Sequence, residues 1–322
     1  MSLAVGVDVG GTKLAAGVVD ADGHIIERLE RLTPSSSPPD TAATVSEAVA
    51  ELRARHQVRA VGVGAAGWVD EARATVLFAP HVAWRGEPLR KELERLAGCP
   101  VVVENDGNAS VWAETRFGAA RGHRHVVMVT IGTGIGTGIV IDGEIYRGHW
   151  GIAGEAGHYR VVPDGRPCEC GNRGCWEQYA SGNALVAGAR DLARRSPAEA
   201  ARLLELAGGA PDGIDGPHIT KAAIEGDPLA ARCFQAVGAW LGQGLADLAA
   251  ILDPGCFVIG GGVSAAGELL LGPARARLAA VLPGRGHRIP AEVKAAELGA
   301  DAGLVGAADL ARDRCGWRDA DG

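Results

Sequence analysis

Cys168, Cys170 and Cys175 fall within eight residues, with His158 ten positions before the first and Glu177 two after the last. Three thiolates and one imidazole fill a tetrahedral zinc shell. A site whose four positions all belong to protein is structural, so the metal would hold a loop and perform no chemistry. Tethered around that point, Glu155, His158 and Glu177 would present carboxylates and an imidazole suited to a polyhydroxy ligand. Only one residue separates Cys168 from Cys170, which departs from zinc-finger spacing, and the alternative is a disulfide with a spare thiol. The opening residues carry no charged n-region or long apolar stretch, and an odd total of seven cysteines suits a reducing cytosol, which favours zinc. Cys99, Cys233, Cys256 and Cys315 lie in apolar surroundings and read as small buried hydrophobes.

A second reactive group lies in Val101-Val102-Val103-Glu104-Asn105-Asp106-Gly107-Asn108-Ala109, a strand opening onto a helix. Phosphoryl transfer to an alcohol needs a carboxylate to take the proton of the attacking hydroxyl. Asp106 is the candidate base, and Asn105 offers both a donor and an acceptor to a sugar hydroxyl. The alternative for this pair is helix capping, which Asn and Asp do well. Before it, Gly64-Ala65-Ala66-Gly67-Trp68-Val69-Asp70 has almost no side chains at its start, so backbone at Gly67 can approach a ring closely. Trp68 could stack on the ring there, with burial in the lobe the more usual role for a tryptophan.

Two glycine hairpins supply places for phosphate. The first joins Ala4–Val9 to Leu14–Val19 through Gly10-Gly11-Thr12-Lys13; the second joins Val126–Ile131 to Thr137–Ile141 through Gly132-Thr133-Gly134-Ile135-Gly136. Neither is a P-loop, because Thr12 precedes Lys13 and a strand follows. Nor is the second a dinucleotide fingerprint, which requires a strand-to-helix turn. Backbone amides of such hairpins form anion-binding concavities without a helix. Thr12 and Thr133 add hydroxyl donors, and Lys13 a charge if it faces inward. Asp8, ending the first strand, would repel phosphate unless a divalent cation lay between them, which assigns it to magnesium through water; a turn role is the alternative. At the end of the strand Cys256–Ile259, Gly260, Gly261 and Gly262 leave room for a flat base.

These groups need two strand-rich halves to hold them. Each hairpin continues through an Asp-Gly turn (Asp22-Gly23, Asp142-Gly143) into a third strand, so one design is written twice. Between them come a helix near Thr41–Ala54, a strand Ala60–Gly64, a helix after Pro88 and a helix from about Gly107. Later, Asp227 caps a helix with Pro228 in its first turn and an apolar stripe of Phe234, Val237, Trp240, Leu241, Leu245 and Leu248. A last helix, about Gly299–Asp313, carries Ala300, Gly303 and Ala307 on one face for close packing and returns to the first half. The chain's 322 residues suffice for two cores. A net charge of −7 argues against nucleic acid, and no apolar run approaches a membrane span.

Taken together, these residues resemble the ROK family of sugar kinases and sugar-responsive repressors. Asp8–Lys13 is similar to its first phosphate loop, Glu104–Ser110 to its catalytic segment and Gly132–Gly138 to its second phosphate loop. Its Glu-x-Gly-His and Cys-x-Cys-Gly-x-x-Gly-Cys-x-Glu signatures correspond to Glu155–His158 and Cys168–Glu177. The resemblance implies a duplicated ribonuclease-H-like, actin- or hexokinase-type two-lobe α/β fold with an inter-lobe cleft. Residues 1–118 and 300–322 would form a small lobe and 119–299 a large one carrying the zinc loop and nucleotide site. It implies ATP and Mg²⁺ as cofactors with structural Zn²⁺ on His158, Cys168, Cys170 and Cys175. Asp106 would be the base, with Gly67, Asn105, Glu155, His158 and Glu177 on the sugar. Ala65–Asp70 and Ala79–Arg85 look most like the actinobacterial glucokinases of the family, which implies phosphorylation of glucose at its terminal hydroxyl. N-acetylhexosamine, mannose or fructose kinases and a sugar-responsive regulator are the alternatives. A homodimer or homotetramer in the cytoplasm, with no nucleic-acid or membrane partner, completes the expectation.

Overall fold

The computed structural model describes residues 3–315, so the outer ends of the expected small lobe, 1–2 and 316–322, lie outside the described residues. The first hairpin builds β1 (Leu3–Val9), β2 (Lys13–Val19) and β3 (Ile25–Leu32), followed by α1 (Pro38–Arg53) and β4 (Val58–Ala65). Three short strands follow, β5 (Trp68–Val69), β6 (Val76–Phe78) and β7 (Arg85–Glu87), then α2 (Leu89–Ala97), β8 (Val101–Asn105) and α3 (Asp106–Arg116). The second hairpin gives β9 (Val126–Ile131), β10 (Ile135–Ile141) and β11 (Glu144–Ile145). Beyond it lie α4 (Glu177–Ala180), α5 (Gly182–Arg195), α6 (Ala201–Leu206), α7 (Gly216–Ile224), α8 (Pro228–Leu252), β12 (Cys256–Gly260), α9 (Glu268–Val281), β13 (Glu292–Ala295) and α10 (Ala302–Arg314).

The two large sheets share one plan. Their orders are β3-β2-β1-β4-β8 and β11-β10-β9-β12-β13, so each half places its hairpin first and then adds strands beside the opening one. β4 and β8 run parallel to β1, each reached by a crossover, and β12 pairs in parallel with β13. The duplication foreseen from two glycine hairpins is thus a duplication of sheets. A third, three-stranded sheet, β5-β6-β7, was not foreseen. Its strands are two and three residues long, too short for alternation to show.

Contacts divide the chain into two compact units: one holds the described residues up to Met128, Gly138–Gly154 and those from Ala296 onward, the other Val129–Thr137 and Glu155–Ala295. These bounds differ from a cut at 118/119 and 299/300, because 119–128, 138–154 and 296–299 fall in the first unit.

Within the first unit α10 lies directly on the sheet. Gly17, Gly6 and Gly62 are register partners on β2, β1 and β4, forming a row without side chains. A Cβ on Gly6 would stand 1.9 Å from the Leu304 carbonyl oxygen, and one on Gly62 1.8 Å from that of Ala307. Only glycine admits helix backbone that close. The small face foreseen for this helix is what makes the approach mutual, with Gly306 taking the same role against the Ala109 carbonyl of α3, 1.8 Å from its own Cβ position. In the second unit, α8 starts as expected, Asp227 accepting from the Ala230 amide at 2.7 Å ahead of Pro228. Its stripe is buried at Phe234, Val237, Leu241, Leu245 and Leu248, whereas Trp240 is half-buried.

Candidate active site

The first unit gathers Asp8, the Gly10–Thr12 loop, Gly67, Asn105 and Asp106 around the ends of β1, β4 and β8. Parallel neighbours put these ends side by side, since Asp8 pairs with Gly64 and Ala65 with Asn105. Asn105 Oδ1 accepts the Asn108 amide at 3.0 Å and starts α3, while its Nδ2 donates to Asp106 Oδ1 and to the Gly67 carbonyl, both at 3.0 Å. Capping and positioning are therefore one arrangement: the helix cap aims the Asp106 carboxyl. A Cβ on Gly67 would meet the Phe78 carbonyl oxygen at 2.5 Å, so the bare backbone foreseen there is needed for β5 to pass β6. Trp68 is not buried; it is 39% exposed, with its ring 5.4 Å from that of Phe78.

Burial raises the pKa of both aspartates. Asp8 is pushed up to about 7, by desolvation first and then by the Asp106 charge. Asp106 is raised by burial, opposed by hydrogen bonds from the Gly107 backbone and Asn105 and by His81 nearby. Two neighbouring carboxylates in a water-poor place resist ionising together, and a cation relieves both. The floor under Asp8 is Gly303, whose Cβ position stands 3.0 Å from the carboxyl carbon. His81 packs against the first glycine loop, 2.7 Å from the Cβ position of Gly11. Lys13 turns the other way: it is 71% exposed and 3.9 Å from Glu30 on β3.

The Asp8 environment makes a stability prediction. Its folded pKa lies above the unfolded value, so protonation supports the fold at low pH, and that support is lost as pH rises from about 4 through about 7. Without nucleotide or metal, Asp8→Asn is expected to be more stable than the parent above pH 7 by on the order of 1–3 kcal/mol, the gap narrowing at pH 5 and closing toward pH 4. Urea unfolding across pH measures it; a gap of equal size at pH 5 and 8 would show that the charge is not the cause.

What sequence reasoning missed is the support beneath this row. Glu104, 1% exposed, is gripped by Arg73 Nε at 2.7 Å and Arg147 Nε at 3.0 Å, and accepts from Asn108 Nδ2 at 3.1 Å. The two arginines are far away in sequence, and no periodicity marks them.

The second unit gathers the other half of the predicted groups. A ring nitrogen of His158 and the Sγ atoms of Cys168, Cys170 and Cys175 all lie within 4.8 Å of one another, with Nδ1 3.7 Å from Cys168 Sγ. The cysteines are free thiols, Cys170 and Cys175 being 3.6 Å apart at sulfur, so the disulfide alternative is not formed. Burial raises the Cys168 and Cys175 thiols, with a hydrogen bond from Cys168 to Glu177 and one between Cys175 and Cys170 adding to it. A donor set this crowded fits a tetrahedral cation, whose charge favours the thiolates. Since Nδ1 faces the sulfurs, Nε2 of His158 is left for another partner.

Glu155 and His158 stand at the two ends of a single turn, closed by the His158 amide on the Glu155 carbonyl at 3.0 Å. Glu177 Oε1 lies 3.0 Å from Cys168 Sγ and 3.4 Å from His158 Nδ1. Its other oxygen is 2.5 Å from the Cβ position of Gly134, so the bare backbone of the second hairpin makes room for it. Trp176, fully buried, donates to the Trp240 carbonyl of α8 at 2.8 Å and pins this segment.

Gly132 and Thr133 also line a cavity of about 780 Å³, with Gly182, Asn183, Leu185 and Val186 of α5, Thr220, Lys221 and Ile224 of α7, and Gly262 and Val263. The Gly182 amide donates to the Gly132 carbonyl at 2.8 Å, tying helix to hairpin. Gly261, with φ +84°, lies against Ile131, its Cβ position 2.5 Å from backbone. The α5 and α7 walls were not foreseen, because each contributes ordinary helix-surface residues.

A profile of the ROK family matches residues 4–314. The chain belongs to the ROK family. It is 50% identical over 313 residues to a glucokinase of Streptomyces coelicolor, covering 97% of this chain and 98% of that one. The crystal structure of a ROK family glucokinase from Streptomyces griseus in complex with glucose and AMPPNP superposes with a TM-score of 0.88 at 53% identity, over 97% of this chain and 100% of that one. An N-acetylmannosamine kinase of Salmonella typhi is 34% identical over 95% of this chain and 97% of its own length. ROK membership and the duplicated α/β fold agree with the resemblance read from the motifs.

Proposed function

We propose that the chain is a glucokinase that transfers the terminal phosphoryl group of ATP to the 6-hydroxyl of glucose. The observation that carries this is the full-length likeness, at 53% identity, to the Streptomyces griseus glucokinase in complex with glucose and AMPPNP. On this chain Asp106 takes the proton of the 6-hydroxyl as that oxygen attacks, and its raised pKa makes it a better proton acceptor than an ordinary carboxylate. Asn105 fixes the base in place. Gly67, Asn105, Glu155, His158 and Glu177 hold the sugar's hydroxyls, His158 through Nε2.

Gly10, Gly11, Thr12, Gly132, Thr133 and Gly134 cradle phosphates with backbone amides and hydroxyls. Lys13 contributes charge only at a distance, given its position beside Glu30. The cavity bordered by Thr133, α5, α7 and Gly262 takes the nucleoside, with Gly261 shaping its backbone edge. Asp8 is the group that would hold Mg²⁺, which supplies charge neutralisation on the phosphates. His158, Cys168, Cys170 and Cys175 would hold Zn²⁺, which supplies no chemistry and keeps Glu177 in place. A homodimer or homotetramer is the proposed assembly. Among the described residues no helix is long and apolar enough to cross a membrane.

A coupled assay over glucose, mannose, fructose, N-acetylglucosamine and N-acetylmannosamine, with ATP and polyphosphate as donors, tests the assignment. Glucose with ATP is expected to give the highest kcat/KM, by roughly 10-fold or more over the acetylated sugars. A preference for an N-acetylhexosamine would overturn it.

A further inference from the structure

We propose that Arg147 is a positioning residue for the acceptor sugar, acting through a buried clamp that no reacting group touches. Its guanidinium, in a residue only 8% exposed, binds in two directions. Nε donates to Glu104 at 3.0 Å, one residue before Asn105 and two before Asp106. The terminal nitrogens donate to three successive backbone carbonyls of the β5 segment: NH1 to Glu71 at 2.9 Å, and NH2 to Val69 at 3.2 Å and Asp70 at 2.9 Å. One side chain thus joins the strand end carrying the base to the loop that begins at Gly67.

The same clamp reaches a third segment. Arg147 opens the stretch 147–154 that leads along the chain into Glu155. Gly151 in that stretch packs so tightly that a Cβ would meet the Val69 carbonyl oxygen at 2.6 Å and Asp70 and Glu71 backbone at 2.7 Å. Arg73 completes the grip on Glu104 at 2.7 Å, in a left-handed conformation (φ +54°) that a non-glycine residue adopts only when its surroundings hold it there. Asp70 Oδ1 accepts the Ala74 and Thr75 amides at 2.8 and 3.1 Å, closing the turn between β5 and β6.

Charge alone does not explain this arrangement. A buried carboxylate between two guanidiniums is a poor source of net stability, since desolvation offsets most of the attraction. What a planar fork with five donors provides is geometry: it binds a carboxylate edge and a run of carbonyls at once, which an ammonium cannot reproduce. Every segment so joined carries, or leads into, a group assigned to the sugar, namely Gly67, Asn105 with Asp106, and Glu155. None of these contacts involves the nucleotide cavity. Arg147 therefore governs binding and alignment of glucose and is indifferent to ATP.

Arg147→Lys keeps the charge and removes the fork. It is expected to stay folded, with a lower kcat/KM for glucose by roughly 10- to 100-fold through both a raised glucose KM and a lowered kcat, while the KM for ATP stays within about twofold. Glu104→Gln is expected to shift the same parameters in the same sense. A folded Arg147→Lys protein with glucose kcat/KM within about twofold of the parent would overturn the proposal. So would an equal rise in both KM values, the mark of general loosening. Circular dichroism and the thermal midpoint establish folding, and should Arg147→Lys unfold, the split between glucose and ATP KM in Glu104→Gln decides by the same criteria. The parent enzyme in the same assay separates this outcome from failure of the glucokinase assignment, which would appear as no glucose turnover by the parent.

Discussion

Replacing Asp106 with asparagine is expected to lower kcat by roughly 10²- to 10⁴-fold, the range for removing a general base, while the KM for glucose moves by only a few-fold. Asparagine is the informative replacement because its side-chain oxygen can still accept from Asn105 Nδ2, now at 3.0 Å from Asp106 Oδ1, so the end of β8 and the start of α3 stay as they are. What disappears is the capacity to take a proton. Alanine would remove the partner of Asn105 as well and mix two effects. Because burial raises the Asp106 pKa, the parent enzyme should also lose activity on the acid side at a higher pH than an ordinary carboxylate would dictate. Steady-state kinetics of Asp106→Asn with glucose and ATP, with the variant's fold checked by circular dichroism, is the measurement. Activity within a few-fold of the parent would remove Asp106 from the role.

Cys175→Ser is expected to strip zinc from the protein and abolish most activity, with a marked fall in thermal midpoint. Cys175 is completely buried, and its neighbour Trp176 is pinned to α8, so serine cannot be accommodated by swinging the side chain into solvent. Structural zinc in small finger peptides binds with about 10–16 kcal/mol, so even a fraction of that value is a large share of a domain's stability. The catalytic loss follows from Glu177, whose carboxylate lies against Cys168 and beside Gly134 of the second glycine hairpin. Without the cation the raised thiols and the carboxylate are left to one another, and the hook that aims Glu177 loosens. Metal analysis of purified parent and variant, followed by activity with and without chelator, measures this. An active parent enzyme free of zinc would refute the structural-metal assignment.

Much of this was legible in advance because the chemistry lies in local patterns. Each hairpin is one continuous stretch with glycines where chains must come close, and the three cysteines that gather beside His158 fall within one short loop. Asp227 followed by Pro228 announced α8 through local capping alone. What escaped was set by partners distant in sequence. Arg73 and Arg147 look like any surface arginine until β8 brings Glu104 between them. Lys13 sits at a loop end, and nothing nearby reveals that β3 offers it Glu30. For Trp68 burial is the more usual role and stacking on a ring the other reading, yet the small three-stranded sheet leaves it half-covered, with Phe78 as its companion. Asn105 shows the opposite case: the capping read from its type is present, with Oδ1 accepting the Asn108 amide, and the same side chain also donates through Nδ2 to the Asp106 carboxylate.

The glycine row on β2, β1 and β4 carries a consequence for how the molecule is made. Gly6 and Gly62 wait for carbonyls of Leu304 and Ala307, residues translated long after the sheet that receives them. At about 5–20 residues per second, that interval lasts roughly 10–40 s on the ribosome. Throughout it the nascent first unit lacks its capping helix, while the second unit, encoded in between, is made and by its end has its own strands and helices. Maturation must therefore finish at the beginning, with the last-made helix docking onto the first-made strands.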